Sequence, residues 1–235
     1  MGTLIVVEGL DGSGKATQAK LLRDAFLARG KEVMQVTFPQ YDSPSSSLVR
    51  MYLAGEFGEK PEDVNPYAAS SFYCVDRYAS FKTLWGSFYE RGGIVIADRY
   101  TTSNAVHQCS KLSANEWDGF LSWLFDFEYR KVQIPEPDLV LYLDVAVEVS
   151  QKLMTQRYHG DESRKDIHEK DLAYLEHSRA AAQYCADTLG WKRIACCENG
   201  VMRTIESIHS DVLACVDKHL PNLISTTEAE RHAES

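Results

Sequence analysis

The feature that most constrains this chain is a short apolar run that leads directly into a glycine-rich loop and a lysine. Residues 3–7 read TLIVV, and residues 9–18 read GLDGSGKATQ. This spacing follows the phosphate-binding pattern G-x-x-x-x-G-K-[S/T], except that Ala16 stands at the final hydroxyl position. In such a loop, backbone N–H groups, the start of a helix and the lysine surround phosphate oxygens. The sequence therefore predicts a P-loop that binds nucleotide phosphates.

Composition excludes several other classes of protein. The chain has 34 Asp and Glu against 25 Lys and Arg, and its net charge of −9 argues against general nucleic-acid or membrane-surface binding. Its six cysteines form no C-x-x-C pair, which favours reduced thiols over a zinc site or a disulfide framework. Since no signal peptide and no apolar run of about 18 residues occurs, we expect a soluble, cytoplasmic protein.

Five β-rich apolar runs alternate with longer helical patterns. Strands are predicted at Thr3–Val7, Glu32–Phe38, Gly93–Ala97, Asp138–Leu143 and Trp191–Cys196, where Val, Ile and Leu run almost continuously, as in buried parallel strands. Helices are predicted at Gly14–Arg29, Tyr67–Arg91, Ser113–Phe127, Val147–Gln156, Asp166–Leu189 and Thr204–His219. The alternation predicts an α/β fold with a parallel sheet between two helical layers. We expect one domain over residues 1–221 and a disordered tail over residues 222–235.

An acid and a base follow the third predicted strand. Asp98 and Arg99 come directly after the apolar residues 94–97. A carboxylate at the carboxyl end of a strand beside the P-loop strand can hold magnesium through water, and the arginine can grip a phosphate. The alternative is a surface ion pair, but the position after a buried strand favours the functional interpretation.

The residue after the P-loop lysine leaves two interpretations of metal binding open. Ala16 lacks the hydroxyl that usually contacts magnesium. Either Thr17 substitutes for it, or carboxylates and water hold the metal without a hydroxyl, as magnesium permits. A third possibility is that the loop binds nucleotide but supports little catalysis. We expect retained activity, because the other parts of the site are present.

Four blocks of the sequence together resemble the thymidylate kinase family. They are GLDGSGKATQ at residues 9–18, FPQYDS at 38–43, FYCVDRY at 72–78 and DRYTTSNAVHQ at 98–108, and the likeness spans about residues 3–215. The resemblance implies a P-loop NTPase fold with a central five-stranded parallel sheet and a short lid at about residues 157–166. It also implies transfer of the γ-phosphoryl group of ATP to dTMP with Mg²⁺, and a homodimer.

The resemblance assigns roles to individual positions. For ATP it implies Gly9, Leu10, Asp11, Gly12, Ser13, Gly14, Lys15, Ala16 and Thr17. For dTMP it implies Asp11, Phe38, Pro39, Tyr73, Arg77, Arg99, Asn104, Gln108 and Glu169, and for the metal it implies Asp98, Asp11 and Thr17. Tyr73 would stack on the base, with Arg77 one helical turn away on the same face. The alternatives without a ligand are ordinary core packing for Tyr73 and a surface position for Arg77. For Asn104 and Gln108 the alternative is a polar helix face.

Two positions depart from the family pattern. Gln40 stands where an arginine commonly grips the acceptor phosphate, so Arg50 or Arg99 would have to replace it. His107 stands where the family often has a tyrosine beside the sugar. These departures keep a rival open, a kinase for another nucleoside monophosphate or a nucleoside. A non-catalytic nucleotide-binding module or a GTP switch is the alternative from another class, although the sequence has no N-K-x-D guanine motif.

The charged stretch at residues 156–166 is the remaining candidate. A solvated loop is the usual explanation of such a run. The resemblance, however, implies a catalytic arginine from either the P-loop or the lid, and Gly12 and Ser13 follow Asp11, so the P-loop has none. The candidate lid cations are Arg157, Arg164 and Lys165, alongside the catalytic Lys15 and Arg99.

The sequence also suggests roles for two further regions, a packing surface and a part of the adenine site. Segment 117–129 is apolar and aromatic, which suits either a subunit interface or a buried helix. Residues 198–200, after the fifth strand, are expected near adenine.

Overall fold

Five parallel strands form the central sheet of the computed structural model, which describes residues 1–157, 161, 168–169 and 172–223. The strands are β1 (Thr3–Glu8), β2 (Val33–Thr37), β3 (Ile94–Asp98), β4 (Leu139–Asp144) and β5 (Lys192–Ala195). Their order across the sheet is β2-β3-β1-β4-β5. A separate antiparallel hairpin pairs β6 (Cys197–Glu198) with β7 (Val201–Met202). The five predicted strands and the three-layer α/β class are confirmed.

Helices connect the strands and cover both sheet faces. They are α1 (Lys15–Ala28), α2 (Ser47–Leu53), α3 (Pro66–Ser80), α4 (Gly86–Glu90), α5 (Thr101–Cys109), α6 (Trp117–Phe125), α7 (Val147–Arg157), α8 (Leu172–Thr188) and α9 (Ile205–His219). Two π-helical turns, Phe81–Trp85 and Asp126–Lys131, extend α3 and α6. Within the described residues, none of the helices combines the length and apolar character needed to cross a membrane.

The two faces of the sheet pack against different helices because successive side chains of a strand point to opposite sides. Leu4 and Val6 face a core built with α5, α6 and α8, whereas Ile5 and Val7 face a core built with α1 and α9. All four β1 side chains are fully buried. Burial on both faces explains why these strands read as continuous apolar runs.

The strand register brings the polar segments that follow the strands to one edge of the sheet. Val7 pairs with Asp98, and Thr37 also pairs with Asp98 from the other side. The loop after β1, the Phe38-Pro39 segment after β2 and Arg99 after β3 therefore lie side by side. In parallel α/β sheets this carboxyl edge is where ligands bind.

Several helices differ from the sequence predictions. The single helix predicted at Tyr67–Arg91 is divided by the first π-helical turn, and the one predicted at Ser113–Phe127 continues into the second. Neither α2 nor α5 was among the predicted helices. The region expected near adenine is the turn of the β6–β7 hairpin. In the 117–129 segment, Phe120, Leu121 and Leu124 are buried, as the core-helix alternative requires.

Candidate active site

The P-loop adopts a conformation that glycine makes possible at two positions. A Cβ atom at Gly9 would lie 2.6 Å from Ser13 Oγ and 2.9 Å from the Leu143 carbonyl oxygen. Gly12 has φ +78°, and a Cβ there would lie 2.6 Å from the Ser150 carbonyl oxygen. Both glycines therefore let the loop pass close to neighbouring backbone, and α1 begins directly after it at Lys15.

A cleft of about 720 Å³ lies at the carboxyl edge of the sheet. Most of the predicted site residues line it: Asp11, Gly12, Ser13, Gly14, Lys15, Ala16, Thr17, Phe38, Pro39, Tyr73, Arg77, Asp98, Arg99, Asn104, Gln108 and Glu169. Gly9 and Leu10 are buried and are not among the lining residues. The side chain of Arg157, and the whole of Arg164 and Lys165, lie outside the described residues, as does most of the predicted lid.

Four charged side chains form a network at the centre of the cleft. Arg99 lies between two carboxylates, with Nη2 2.5 Å from Asp11 Oδ1 and Nη1 3.6 Å from Glu8 Oε1. Lys15 Nζ donates to the Leu10 carbonyl oxygen at 2.8 Å and lies 3.9 Å from Asp11 Oδ1. The loop carboxylate thus touches both cations of the cleft centre.

This network shifts the pKa values of its members. Burial alone would raise the pKa of Asp11, but Arg99 and Lys15 outweigh it and hold that pKa well below its usual value. Burial, reinforced by the charge of Arg99, lowers the pKa of Lys15. For Arg99 burial would lower the pKa, yet Asp11 and Glu8 raise it. Asp11 therefore stays ionised at neutral pH and keeps Arg99 in place.

Glu8 is a site residue that sequence reasoning missed. The side chain is fully buried and accepts hydrogen bonds from the Gly9 backbone N–H (2.9 Å), Thr102 Oγ1 (2.6 Å) and Ser103 Oγ (2.7 Å). It connects the start of the P-loop to the start of α5, and its Oε1 pairs with Arg99 Nη1. The available signal was an acid at the end of an otherwise apolar strand.

Asp98 has the environment expected of a metal-binding carboxylate. The residue is 8 % exposed, and its Oδ1 is buried without a hydrogen-bond partner among the described residues. Buried polar atoms are rarely left unpaired without a functional reason. No cluster of three or more His, Cys, Asp or Glu side chains suited to a metal occurs in the described part of the chain.

The segment after β2 is held by a buried acid from α3. Asp76 accepts from the Gln40 backbone N–H at 2.8 Å and from Ser45 Oγ at 2.6 Å. Arg50 donates to the carbonyl oxygens of Tyr41 and Ser43, and it does not line the cleft. Of the two arginines considered as substitutes for the one absent at position 40, only Arg99 lines the cleft.

One end of the cleft carries polar groups from α3 and α5. Arg77 is 1 % exposed and forms an ion pair with Glu128, which sequence reasoning did not identify. Asn104 and Gln108 lie one helical turn apart on α5, and neither amide atom of Gln108 has a hydrogen-bond partner among the described residues. Tyr73 lines the same cleft.

Aromatic and imidazole rings form the wall next to Arg99. His107 stacks on His168 at 5.5 Å between ring centroids, and its Nε2 lies 3.3 Å from Arg99 Nη1. Because arginine can only donate, His107 Nε2 accepts and its proton is on Nδ1. Burial lowers the pKa of His107 to about 3, and the charge of Arg99 acts in the same direction. His107 is therefore neutral at pH 7.

His168 links this wall to α2. His168 Nε2 lies 2.8 Å from Tyr52 Oη, which in turn accepts from Lys111 Nζ at 2.8 Å. Burial lowers the pKa of Lys111 to about 7. His168 precedes Glu169, so these contacts place the predicted acid at the cleft.

The opposite end of the cleft is lined by Met202, which ends the β6–β7 hairpin, and by Arg203 and Ile205, which follow it. Gln18 of α1 joins this end to α9 by donating to the Ile205 carbonyl oxygen at 3.0 Å. The P-loop lies between the two ends. One cleft can therefore accommodate two elongated molecules that meet at Lys15 and Arg99.

Comparison with known proteins agrees with this arrangement. The family model for thymidylate kinase matches residues 7–208. Thymidylate kinase of Mycobacterium tuberculosis is 32% identical over 191 residues, covering 80% of this chain and 87% of that protein. A probable thymidylate kinase of Pyrococcus horikoshii is 30% identical over 223 residues, covering 94% and 99%. The human thymidylate kinase is 26% identical over 216 residues, covering 90% and 88%.

A solved structure supports the fold independently. Thymidylate kinase from Candida albicans superposes with a TM-score of 0.68 over 95% of this chain and 94% of that one, at 18% identity. This likeness concerns the fold, whereas the family model and the sequence relatives concern descent. With the family model covering most of the chain and a P-loop cleft in place, the chain belongs to the thymidylate kinase family.

Proposed function

We propose that this chain transfers the γ-phosphoryl group of ATP to dTMP, forming dTDP and ADP. The observation that carries the proposal is the cleft in which Lys15 and Arg99 flank Asp11, with a polar pocket at one end and the P-loop at its centre. A phosphate oxygen of dTMP forms a bond to the γ-phosphorus, and the bond from that phosphorus to the β–γ bridging oxygen breaks. ADP leaves with that oxygen.

The donor nucleotide is placed on the P-loop side. Lys15 and the N–H groups at the start of α1 suit the β- and γ-phosphates, since both carry positive charge. Adenine is placed at the end lined by Met202 and Arg203, close to the hairpin turn expected from the sequence.

The acceptor nucleotide is placed against α3 and α5. Phe38 and Pro39 wall this side, Tyr73 stacks on the base, and Arg99 grips the phosphate in place of the arginine absent at position 40. The acceptor phosphate is already a nucleophile near neutral pH, so no strong general base is needed. Positioning and charge neutralisation supply most of the rate enhancement.

The residues present fit a magnesium ion. Asp98 offers a buried, unpartnered oxygen, and magnesium usually keeps several waters with few protein ligands. We assign Asp98 as the main protein group, with Asp11 and Thr17 as further candidates. When bound, the ion would neutralise charge on the transferring phosphates.

A catalytic arginine from residues 157–166 remains part of the proposal. The P-loop supplies none, and one arginine at the transferring group can be worth on the order of 10³-fold in rate. We expect at least one of the two variants Arg157→Ala and Arg164→Ala to have a much lower kcat while its affinity for ATP changes far less. Unchanged kcat in both variants would remove this assignment.

A substrate panel tests the proposed function. ADP production is measured with ATP, Mg²⁺ and each of dTMP, dUMP, UMP, dGMP and thymidine. We expect the highest kcat/KM with dTMP. Preference for another acceptor would support the rival kinase, and ATP binding without any ADP production would support a non-catalytic module.

We further propose a cytoplasmic homodimer. All six cysteines are free thiols, which suits a reducing compartment. Val75, Tyr78 and Leu84 expose apolar side chains on α3 and the following π-helical turn, a surface that a second subunit could cover. Light scattering is expected to give twice the chain mass, and Val75→Asp is expected to reduce it. A monomeric mass for the unmodified chain would exclude the dimer.

A further inference from the structure

Glu128 is a buried carboxylate that holds side chains from two helices of the cleft. It lies in the π-helical turn Asp126–Lys131 and is fully buried. Oε2 accepts from Arg77 Nε at 2.7 Å and from Thr101 Oγ1 at 2.9 Å. Oε1 accepts from Arg77 Nη2 and from Asn104 Nδ2 at 3.1 Å. One acid thus orients both Arg77 of α3 and Asn104 of α5.

The contacts of Asn104 determine which of its polar atoms remains available. Its Nδ2 donates to Glu128 Oε1 and to the Ser70 carbonyl oxygen at 3.3 Å. Both partners are acceptors only, so the amide nitrogen must face them. Both amide hydrogens are then used, and Oδ1 remains. Asn104 can therefore offer the cleft an acceptor and no donor.

Arg77 has the opposite character. Two of its nitrogens contact Glu128, and Nη1 contacts the Tyr100 carbonyl oxygen at 3.4 Å. A guanidinium has five N–H donors and no acceptor, so every remaining contact of Arg77 donates. Glu128 thereby places a donor and an acceptor side by side at the cleft. The amide of Gln108 can present either group to a ligand.

This donor–acceptor pair matches one class of pyrimidine. A 4-oxo pyrimidine has an accepting oxygen at C4 and a donating N3–H, whereas a 4-amino pyrimidine has a donor at C4 and an acceptor at N3. We propose that Glu128 is a positioning residue that determines preference for 4-oxo over 4-amino pyrimidine nucleotides. The inference rests on the proposed function, in which this end of the cleft receives the acceptor base.

A glutamine at position 128 would weaken this arrangement while keeping its size. Its NH₂ group cannot accept from the donors that face either carboxylate oxygen, which are Arg77 and Asn104 at Oε1 and Arg77 and Thr101 at Oε2, so the orientations of the Asn104 amide and of Arg77 are fixed less firmly. The charge that holds Arg77 is also lost. Selectivity at C4 should therefore fall by more than overall turnover.

The test compares dTMP with 5-methyl-dCMP, which differ only in the C4 group and N3 protonation. In the full chain with ATP and Mg²⁺, Glu128→Gln is expected to lower the ratio of the two kcat/KM values by about tenfold or more. Most of the change for dTMP should appear in KM. Glu136→Gln, the same substitution at an exposed position, is the matched control and should leave the ratio unchanged.

A double-mutant cycle separates positioning from a general structural effect. Since Glu128 holds both Asn104 and Arg77, Glu128→Gln is expected to lower the ratio in the Asn104→Ala chain by less than it does in the unmodified chain, whereas an equal loss in the two backgrounds would show that Glu128 does not act through Asn104. Should Glu128→Gln fail to fold, Thr101→Val keeps the carboxylate, removes one of its donors and is expected to lower the ratio at least twofold.

The possible outcomes distinguish this inference from the proposed function. An unmodified chain that produces no ADP with dTMP refutes the proposed function. Activity with dTMP, combined with an unchanged ratio in folded Glu128→Gln or, if that variant is unfolded, in Thr101→Val, overturns the role of Glu128 alone.

Discussion

Arg99 Nη2 lies 2.5 Å from Asp11 Oδ1, so the residue that follows β3 is tied to the centre of the P-loop. Arg99 has φ +66°, a backbone conformation that residues other than glycine rarely adopt. Its other terminal nitrogen contacts Ser103 Oγ at 3.2 Å. The planar guanidinium reaches both partners at once, which a lysine ammonium on a flexible stem does poorly.

Arg99→Lys is therefore expected to lower kcat/KM for dTMP by about 10- to 100-fold, although the charge is kept. The measurement is steady-state ADP production. Arg23→Lys is the matched control, because Arg23 forms an ion pair with its neighbour Asp24 and lies half-buried at the surface, away from the cleft. If kcat/KM of Arg99→Lys for dTMP lay within twofold of that of the unmodified chain, the planar guanidinium would not have the role assigned to it.

Ala16→Ser restores the missing hydroxyl next to Lys15. Since the native position offers no oxygen, we expect the Mg²⁺ concentration for half-maximal activity to fall about two- to fivefold. Magnesium titration at saturating ATP and dTMP measures it. Ala28→Ser makes the same change at the exposed end of α1 and should have no effect. An unchanged Mg²⁺ requirement for Ala16→Ser would instead favour Thr17 or purely water-mediated binding.

Asp76→Ala removes the acceptor for the Gln40 N–H and for Ser45 Oγ. The free energy of unfolding should fall by about 1–3 kcal/mol, because these donors lose their partner. KM for dTMP should rise about fivefold, since the Phe38-Pro39 wall loses its support. Urea unfolding and kinetics measure the two effects.

Asp187→Ala is the control for Asp76→Ala, because Asp187 is 75% exposed and pairs with Arg193 at the surface. We expect Asp187→Ala to lower the free energy of unfolding by less than about 0.5 kcal/mol. Equal unfolding free energies for the two variants would show that the buried acid does not brace the segment after β2.

Acid should destabilise the chain partly through His107. The folded pKa of about 3 lies below the unfolded value of about 6.5, so the unfolded state binds more protons as the pH falls below about 6.5. Between pH 7.5 and 5.0 this difference in proton binding lowers the free energy of unfolding by about 1–2 kcal/mol. His107→Asn removes the titrating group, so its unfolding free energy should fall less over that range.

Urea unfolding at the two pH values provides the comparison with the unmodified chain. His177→Asn is the control, since His177 lies on the exposed side of α8. If His107→Asn and the unmodified chain lose the same stability between pH 7.5 and 5.0, the neutral state of buried His107 contributes nothing to acid sensitivity.

Local patterns predicted the elements whose signal is contained in a few consecutive residues. Residues 4–7 and 94–97 are continuously apolar because both sheet faces are covered, and this is visible without the fold. The π-helical turns at 81–85 and 126–131 were not predicted, since helix periodicity continues through them. The two-residue strands of the hairpin are too short to show an alternating pattern.

The candidate site shows the same division. Lys15, Asp98 and Arg99 were predicted because each belongs to a motif next to a strand, whereas Glu128 is 51 positions from Arg77 in the chain and carries no motif. Residues 157–166, apart from the backbone of Arg157 and Asp161, lie outside the described part of the chain, so their assigned roles stay predictions.

The sequence by itself determined the phosphate-binding loop, the parallel α/β class and the family, because these depend on residue types at fixed short spacings. Only the tertiary structure decided which partners the cleft residues have: Glu8 for Arg99, Glu128 for Arg77 and Asn104, and Tyr52 for His168. Such pairings arise when packing brings distant segments together, and no local spacing encodes them. Through these partners the structure establishes which hydrogen-bonding groups the cleft can offer to a ligand.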